Sequence, residues 1–476
     1  MMAFSLELLS FLSIIWTVTS LCTPQSTKHH YPNHLDHDVI IVGGSICGLA
    51  TAVSLKSQIS PINVQIYERA TSLRPTGALL SLFPNGMTAL QNILGGLQTK
   101  RDPKVPLCEV LNQQSVPSQY TIVKQVQTGQ VVDERVVKSV EKSNEGKSPG
   151  RFILWYQLQN ILLEALEATS LADMNCMSLG CEFQSYSFYK STGQIHATFK
   201  SGESTITKTC RLLIGADGIR STLRPLISQS GSTPQIRSYK RIIYRALIDA
   251  KNVDPDLIPS IGTAVVYKSA TNVGQIFKLQ SCSEAKTIAL TATASTEDTE
   301  EDVRQWHSSQ AISNWRNAFS DFPTDVLDLI NLCPPSSIYT NCVSDLQIDD
   351  KEQWPTLCWS NGDEPILKLG DAVHGMVPSL GQGANVCMED AIELSVIMRH
   401  TSETADTSTE GLTHAQIMET IRRFQSVRND RVVEIHRSSR IQASMKLSAE
   451  SSLKNFQEKN EDFFRRLYDW TPISFC

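Results

Sequence analysis

A short apolar strand, a glycine-rich turn and an apolar helix in immediate succession constrain this chain more than any other feature. Asp38–Val42 (DVIIV) has the unbroken apolar character of a strand buried on both faces. Gly43-Gly44-Ser45-Ile46-Cys47-Gly48 follows, and Leu49–Ser57 then carries apolar residues at helical spacing. The turn is G-x-G-x-x-G with Ser45 in the second glycine position. Gly43 permits the tight turn, Ser45 is small enough for the backbone to approach a pyrophosphate, and Gly48 lets helix and strand pack closely. The helix N-terminus then offers free N–H groups and the positive end of its dipole to phosphate oxygens. A second strand, Val64–Tyr67, ends at Glu68, 20 residues after Gly48. A carboxylate there is placed to accept hydrogen bonds from an adenosine ribose. The expectation is a dinucleotide-binding βαβ unit, and this element alone does not choose between FAD and NAD. Cys47 reads as a small packing residue of the turn rather than a redox centre.

Two later segments make the choice. One is Leu213-Ile214-Gly215-Ala216-Asp217-Gly218-Ile219-Arg220-Ser221; the other runs from Leu369-Gly370-Asp371 through His374 and Pro378-Ser379-Leu380-Gly381-Gln382-Gly383 to Ala384-Asn385. With the glycine turn they resemble the fingerprints of the single-component (group A) FAD-dependent aromatic hydroxylases, the para-hydroxybenzoate hydroxylase fold. The resemblance spans about Asp38 to Arg440. It implies an α/β architecture: a Rossmann-type FAD-binding domain, an interleaved β-sheet substrate domain and C-terminal helices. The FAD-binding parts are expected at 38–110, 151–235 and 345–400, the substrate domain at 111–150 and 236–344, and a polar insertion with terminal helices at 401–476.

The same resemblance assigns roles. Asp371 would bind the ribityl hydroxyls, and Asp217 would support the pyrophosphate region and the encounter with NAD(P)H. The loop Pro378–Gly383 would run along the flavin ring. The helix beginning near Ala384 and Asn385 would point its positive end at the pyrimidine edge, favouring the anionic reduced flavin. His374 is expected to be structural. An arginine that many relatives carry before Leu158 is replaced here by Trp155, so Arg151, one helical turn earlier, is expected to reach back to the cofactor. The implied cofactor set is Gly43, Ser45, Gly48, Glu68, Gly77, Arg151, Asp217, Asp371, Gly381, Gly383, Ala384 and Asn385. On the second sheet, Arg245 and Tyr267 would orient the substrate and lower a phenol pKa.

The implied chemistry is that of the flavin. NAD(P)H reduces it, O₂ adds to give a C4a-hydroperoxide, and oxygen passes to an electron-rich ring or alkene, by hydroxylation or epoxidation. The substrate is then a small aromatic, terpenoid or other alkene-containing molecule. Two alternatives stand beside this reading: a reductase or dehydrogenase of the same fold acting on an isoprenoid, and a non-catalytic binding protein with a vestigial flavin site. A halogenase is disfavoured because no W-x-W-x-I segment occurs.

Composition narrows the field further. The net charge of −6 leaves no basic footprint for nucleic acid. The 12 cysteines are scattered singly without metal-ligand spacing, so neither a structural metal nor a disulfide scaffold is expected. Residues 1–22 contain the apolar run Leu8–Val18, which reads as a secretory signal peptide or a membrane anchor. The corresponding expectation is the secretory pathway or a membrane, with an organelle such as a plastid reached by that route as a variant. Residues 23–37, with His29, His30, His34 and His37, read as a polar leader rather than a metal cluster.

Overall fold

Alternating βαβ patterning places an N-terminal parallel sheet, and that sheet forms. The computed structural model describes residues 35–73, 79–126, 131–136, 149–169, 175–227, 234–269, 275–282, 286–347, 359–403, 412–446 and 460–474. Residues 36–476 make one compact unit. Strand β1 (Val39–Val42) is buried at every position and leads through the glycine turn into helix α1 (Ile46–Gln58). Strand β2 (Val64–Glu68) returns beside β1 in parallel register, Val39 opposite Val64. The fold starts two residues before β1's approach was expected to. Asp36 accepts from the Thr209 N–H at 2.9 Å, and His37 bonds Tyr67 and Asn63, so both residues belong to the fold rather than to a leader. Leu8–Val18 lies outside the described residues.

Next come β3 (Leu79–Leu82), α2 (Pro84–Leu94), α3 (Leu107–Gln114), β4 (Val116–Pro117), β5 (Tyr120–Gln125), β6 (Val131–Val136), β7 (Arg151–Leu154) and α4 (Trp155–Ala168). The apolar spacing of Leu158, Ile161, Leu162, Ala165 and Leu166 predicts a helix over Phe152–Thr169, and the helix begins only at Trp155. Arg151–Leu154 pairs antiparallel with β3, with Leu80 opposite Ile153, and with β4. Phe152, Ile153 and Leu154 are all buried, and β-sheet pairing satisfies their backbone before the helical spacing of Leu158, Ile161 and Leu162 takes over. The chain then runs through β8 (Met177–Leu179), the antiparallel β9 (Cys181–Tyr189), β10 (Gln194–Ser201) and β11 (Ser204–Cys210), and back into the first sheet as β12 (Leu212–Gly215), followed by the short helix α5 (Leu223–Leu226).

The second large sheet is built by β13 (Ile236–Asp249), β14 (Thr263–Lys268), β15 (Ile276–Cys282) and β16 (Thr287–Ser295), then helices α6 (Glu300–Gln305), α7 (Ser308–Ala318) and α8 (Thr324–Asn331), and β17 (Tyr339–Leu346). The last stretch is β18 (Ile366–Lys368), α9 (Asp371–His374), α10 (Gly383–Glu403), α11 (His414–Lys446) and α12 (Glu461–Tyr468). The parallel sheet has the order β18-β12-β1-β2-β8, and the larger sheet β17-β13-β16-β15-β14-β5-β6. This is the expected Rossmann-type sheet with a separate β-sheet and C-terminal helices. One face of the larger sheet, carrying Tyr244, Tyr267 and Phe277, packs on Trp315, Phe319 and Leu329 of the α6–α8 region. Among the described residues no helix is long and apolar enough to cross a membrane.

Candidate functional site

Parallel strands deliver their C-terminal ends to one edge of a sheet, and ligands bind outside those ends. Here β1, β2, β12 and β18 bring Gly43, Glu68, Ala216 and Leu369 to that edge. The Gly43 N–H donates to the Tyr67 carbonyl at 2.9 Å, that of Ala216 to Val42 at 2.8 Å, and that of Leu369 to Gly215 at 2.9 Å. Two glycines of the turn are sterically required. A Cβ on Gly43, whose φ is +105°, would lie 2.5 Å from the Ala216 carbonyl oxygen, and one on Gly48 would lie 1.9 Å from that of Gly43. Ser45 is exposed at the N-cap of α1, its side chain makes no capping bond, and the first turn holds no acidic residue. An anion thus meets unblocked N–H groups and the positive helix end.

Glu68 holds the turn from the next strand. Its carboxylate accepts from the Gly44 N–H at 2.7 Å and the Ala70 N–H at 2.8 Å. Four lone-pair directions leave acceptor capacity for a ribose. Asp217 accepts through Oδ2 from the Thr222 N–H at 2.7 Å, while its Oδ1 is buried with no hydrogen-bond partner among the described residues. Asp371 opens α9. It keeps an exposed face, yet the surrounding protein pushes its carboxyl pKa up through desolvation, with His374 acting in the other direction. His374 itself is fully buried and bonded to Asp390 at 2.7 Å, a structural role.

The loop before α10 has two different glycines. Gly381 has φ +68°, and a Cβ there would come within 3.1 Å of the Phe83 ring. At Gly383 an added Cβ would meet only Asp371 Oδ1, at 3.9 Å. The space before Asp371 and the first turn of α10 is therefore open, and the N–H groups of Gly383, Ala384 and Asn385 begin the helix there. The Asn385 side chain has a task of its own in the fold. It is fully buried, donates to the Ser81 and Gly381 carbonyls at 3.0 and 2.9 Å, and accepts from the Phe83 N–H at 2.9 Å. Its amide braces the loop against β3, which leaves only its backbone to a cofactor. The orphaned Asp217 oxygen, the exposed Asp371 and the open ground at Gly383 fit a long dinucleotide with a polar chain at its middle.

Arg151 does not reach toward this cleft. As a strand residue it donates to the Asn112 and Ser115 carbonyls at 2.8 Å each, capping the C-terminal end of α3. Trp155 packs against the main core. Gly77 lies outside the described residues.

The expected pair Arg245 and Tyr267 is split. Register places Arg245 opposite Thr291 on β16 and Thr291 opposite Lys278 on β15, so these three share one face. Tyr267 is opposite Phe277, which is opposite Ala292 and then Tyr244, so it lies on the other face. Its ring is 7% exposed and meets Phe277 edge-on at 6.3 Å in the core under α7. A strand alternates its side chains, and the odd offset decides the face. Arg245 is half-buried and bonds Asn341. On either side of it along β13, Ile243 packs with Val377 of the loop, and Leu247 packs with Leu154 and Leu79. Arg245 thus lies on the face of the sheet that packs on the segment before α10 and on the small β3-β7-β4 sheet.

Sequence reasoning passed over a buried charge network that fixes α10. Arg428 on α11, fully buried, donates to Asp390 at 2.9 Å and Glu389 at 2.8 Å, and Arg431 adds bonds to Glu389 at 2.6 and 2.7 Å. Asp390 also accepts from the Gly370 N–H at 3.2 Å and so ties α10 to the turn bearing Asp371. The acidic pair Glu389-Asp390 facing arginines one helical turn apart was the available signal.

Comparison with known proteins agrees with this geometry. Residues 36–411 match a family described as FAD binding domain. The FAD-dependent urate hydroxylase of Klebsiella pneumoniae is 23% identical over 436 residues, 90% of this chain and 96% of its own length. The 3-hydroxybenzoate 6-hydroxylase of Klebsiella oxytoca is 24% identical over 355 residues, 75% of this chain and 78% of its own. A crystal structure of Klebsiella pneumoniae HpxO complexed with FAD and uric acid superposes with a TM-score of 0.67 at 19% identity, covering 92% of this chain and 96% of that one. A salicylate hydroxylase substrate complex gives 0.64 at 18% identity, with 91% and 95% covered.

Proposed function

The chain belongs to the FAD-binding-domain family and is an FAD-dependent monooxygenase of the group A type, and from that premise we propose that it hydroxylates a small electron-rich aromatic compound with electrons from NAD(P)H. The observation that carries the proposal is the open ground before Asp371 at Gly383, with the Arg245 face of the larger sheet packed beside that loop through Ile243 and Val377. Relatives named as urate and 3-hydroxybenzoate hydroxylases support the aromatic substrate class. When bound, reduced flavin supplies the oxygen-activating chemistry.

The chain's own residues then have separable tasks. The Gly43–Gly48 turn and the N-terminus of α1 hold the pyrophosphate, Glu68 the adenosine ribose, and Asp371 the ribityl chain. The N–H groups opening α10 stabilise negative charge on the pyrimidine edge. The apolar contacts Ile243–Val377 and Leu247–Leu154 flank Arg245 along β13, and would shield a substrate held there from water. Arg245 remains cationic and orients the ring. The test is turnover of the FAD-loaded protein with NAD(P)H under isotopically labelled O₂ across a panel of hydroxyaromatics. One labelled oxygen atom in the product, with NAD(P)H consumed in proportion, is expected. Product formed without O₂, or carrying oxygen from water, would favour the reductase chemistry and refute the proposal.

A further inference from the structure

We propose that Cys47 and Cys387 form a peroxide-sensitive dithiol beneath the cofactor cradle, and that their oxidation to a disulfide loosens the hold on FAD. The inference goes beyond the oxygenation reaction and rests on that reading only for the source of the peroxide. The two thiols come from opposite parts of the sequence. Cys47 stands in the Gly43–Gly48 turn, in the first turn of α1, and Cys387 is the fifth residue of α10. Gly370, the residue before Asp371, brings them together. A Cβ at Gly370 would lie 2.8 Å from the Cys47 Sγ and 2.9 Å from the Cys387 Sγ, so both sulfurs border the same small gap. Both cysteines are free. The Cys387 thiol donates a hydrogen bond to Cys47, and that bond together with burial holds its pKa well above the ordinary thiol value. Read in the sequence, Cys47 is a small packing residue. A partner far along the chain makes it one half of a pair.

The two sulfurs have different tasks. Cys47 is the attacking one: the first turn of α1 holds no acidic residue, and the positive helix end stabilises the negative charge a sulfur carries as it attacks. Cys387, kept protonated, is the resolving thiol. Peroxide is the by-product of a turnover that fails to oxygenate its substrate. Its O–O bond breaks as the Cys47 sulfur takes one oxygen, which gives a sulfenic acid and one water. The Cys387 sulfur then displaces that hydroxyl, its proton leaves with it as a second water, and the S–S bond forms. Two thiols lose two electrons in all, and one H₂O₂ is reduced to two waters. Cys47 is 5% exposed and Cys387 7%. That admits an oxidant little larger than water and keeps out bulky disulfides. Burial pushes the thiols of Cys282 and Cys333 up to about 12, so these two stay protonated and unreactive. Closing an S–S bond of about 2.05 Å draws the first turn of α1 toward α10 across Gly370. The Gly370 φ of +59° and its N–H bond to Asp390 at 3.2 Å fix the turn that carries Asp371. The glycine turn, Asp371 and the start of α10 are the three elements assigned to the cofactor, so one bond displaces them together. By linkage, bound FAD disfavours the disulfide to the same extent.

The test uses the full-length protein with and without FAD, reduced, freed of reductant and titrated with H₂O₂. Peptide mass spectrometry without reductant should find the Cys47 and Cys387 peptides cross-linked in the wild type. Cys387→Ser should stop at a Cys47 sulfenic acid, trapped by dimedone, and Cys47→Ser should give neither product. Fluorescence quenching should show FAD binding by the oxidised apoprotein weakened roughly 5- to 150-fold, the usual span of coupling between linked sites. Dithiothreitol should restore it, and the affinity of Cys47→Ser should not respond to peroxide. Bound FAD should shift the equilibrium with a dithiothreitol buffer toward the thiols by the same factor. Absence of the cross-link in the wild-type apoprotein, or an oxidised protein that binds FAD as the reduced one does, would overturn the proposal. Failure of labelled oxygen to enter any product would strike the monooxygenase reading instead, since the peroxide here is added from outside.

Discussion

Gly383→Val isolates the cofactor cleft from the stability of the fold. An added Cβ meets one atom, Asp371 Oδ1 at 3.9 Å, an ordinary contact. The position opens α10 and carries no left-handed backbone strain. The protein without cofactor should therefore melt within about 0.5 kcal/mol of the wild type, as for substitutions that create no clash or cavity. The two valine methyls extend into the ground before Asp371 and block approach to the N–H groups of residues 383–385. Losing one such preorganised donor is worth about 2.7–4 kcal/mol, or roughly 100- to 1,000-fold. The expected result is that FAD affinity, or the rate of flavin reduction at saturating FAD, falls by that factor while the apoprotein melting temperature holds. Gly381→Ala is the contrasting control. Its φ of +68° and a Phe83 contact at 3.1 Å put strain in the fold itself, about 1–3 kcal/mol, before any cofactor binds. Fluorescence quenching of titrated FAD and thermal melting of the apoprotein separate the two. If Gly383→Val bound FAD within a few-fold of wild type, or lost apoprotein stability as Gly381→Ala does, the placement of the flavin against this loop would be wrong.

Two further outcomes follow from the sheet and from α11. Arg245→Ala should keep FAD bound and reducible but raise H₂O₂ release per NAD(P)H consumed, because a misplaced ring no longer captures the oxygen, whereas Tyr267→Phe on the opposite face should leave that ratio unchanged; equal ratios in the two variants would refute the assignment of faces. Burial lowers the His436 pKa from an ordinary 6.5 to about 4, so between those values the unfolded chain binds more protons than the folded one. Stability is then full above about pH 6.5 and declines as pH falls through 4, by roughly 2–3 kcal/mol. Urea melts at pH 7 and pH 4 should show this loss in the wild type and a smaller one in His436→Gln; an unchanged difference would show that His436 does not titrate with folding.

The parts of the fold that are legible in the sequence are those where one physical demand selects one residue type. Gly43 and Gly48 could be read because backbone of a neighbouring turn occupies the Cβ positions, and no other residue fits. Glu68 was legible from its spacing, and Asp371 from its place at a strand end. The reach of Arg151 and the side-chain role of Asn385 could not be read, because whether a polar side chain serves a ligand or a nearby carbonyl is decided by neighbours distant in sequence. Asn112 and Ser115 take Arg151; Ser81 and Phe83 take Asn385. The antiparallel strands β9 to β11 carried an available signal that the reading omits. Ile195, Ala197 and Phe199 alternate between turns at Gly193 and Gly202, and all three are buried.

The sheet face shows most clearly what was missing. Tyr267 and Arg245 are both in apolar strands, and each alone is a fair substrate residue. Placing them together requires the register of four strands, β13, β16, β15 and β14, because each pairing carries the face assignment to the next strand. A shift of one residue anywhere in that chain would exchange the two faces. With the observed register, the side turned to α7 collects the aromatic rings of Tyr244, Tyr267 and Phe277, which need only packing. The side turned to the loop before α10 collects Arg245, Thr291, Lys278 and Gln280, and among the described residues no carboxylate pairs with Arg245 or Lys278. Burial of such groups is unfavourable unless something binds them. Their concentration on one face is the reason the proposed substrate contact is assigned to this sheet, and the aromatic face under α7 supplies the rigid packing that holds them there.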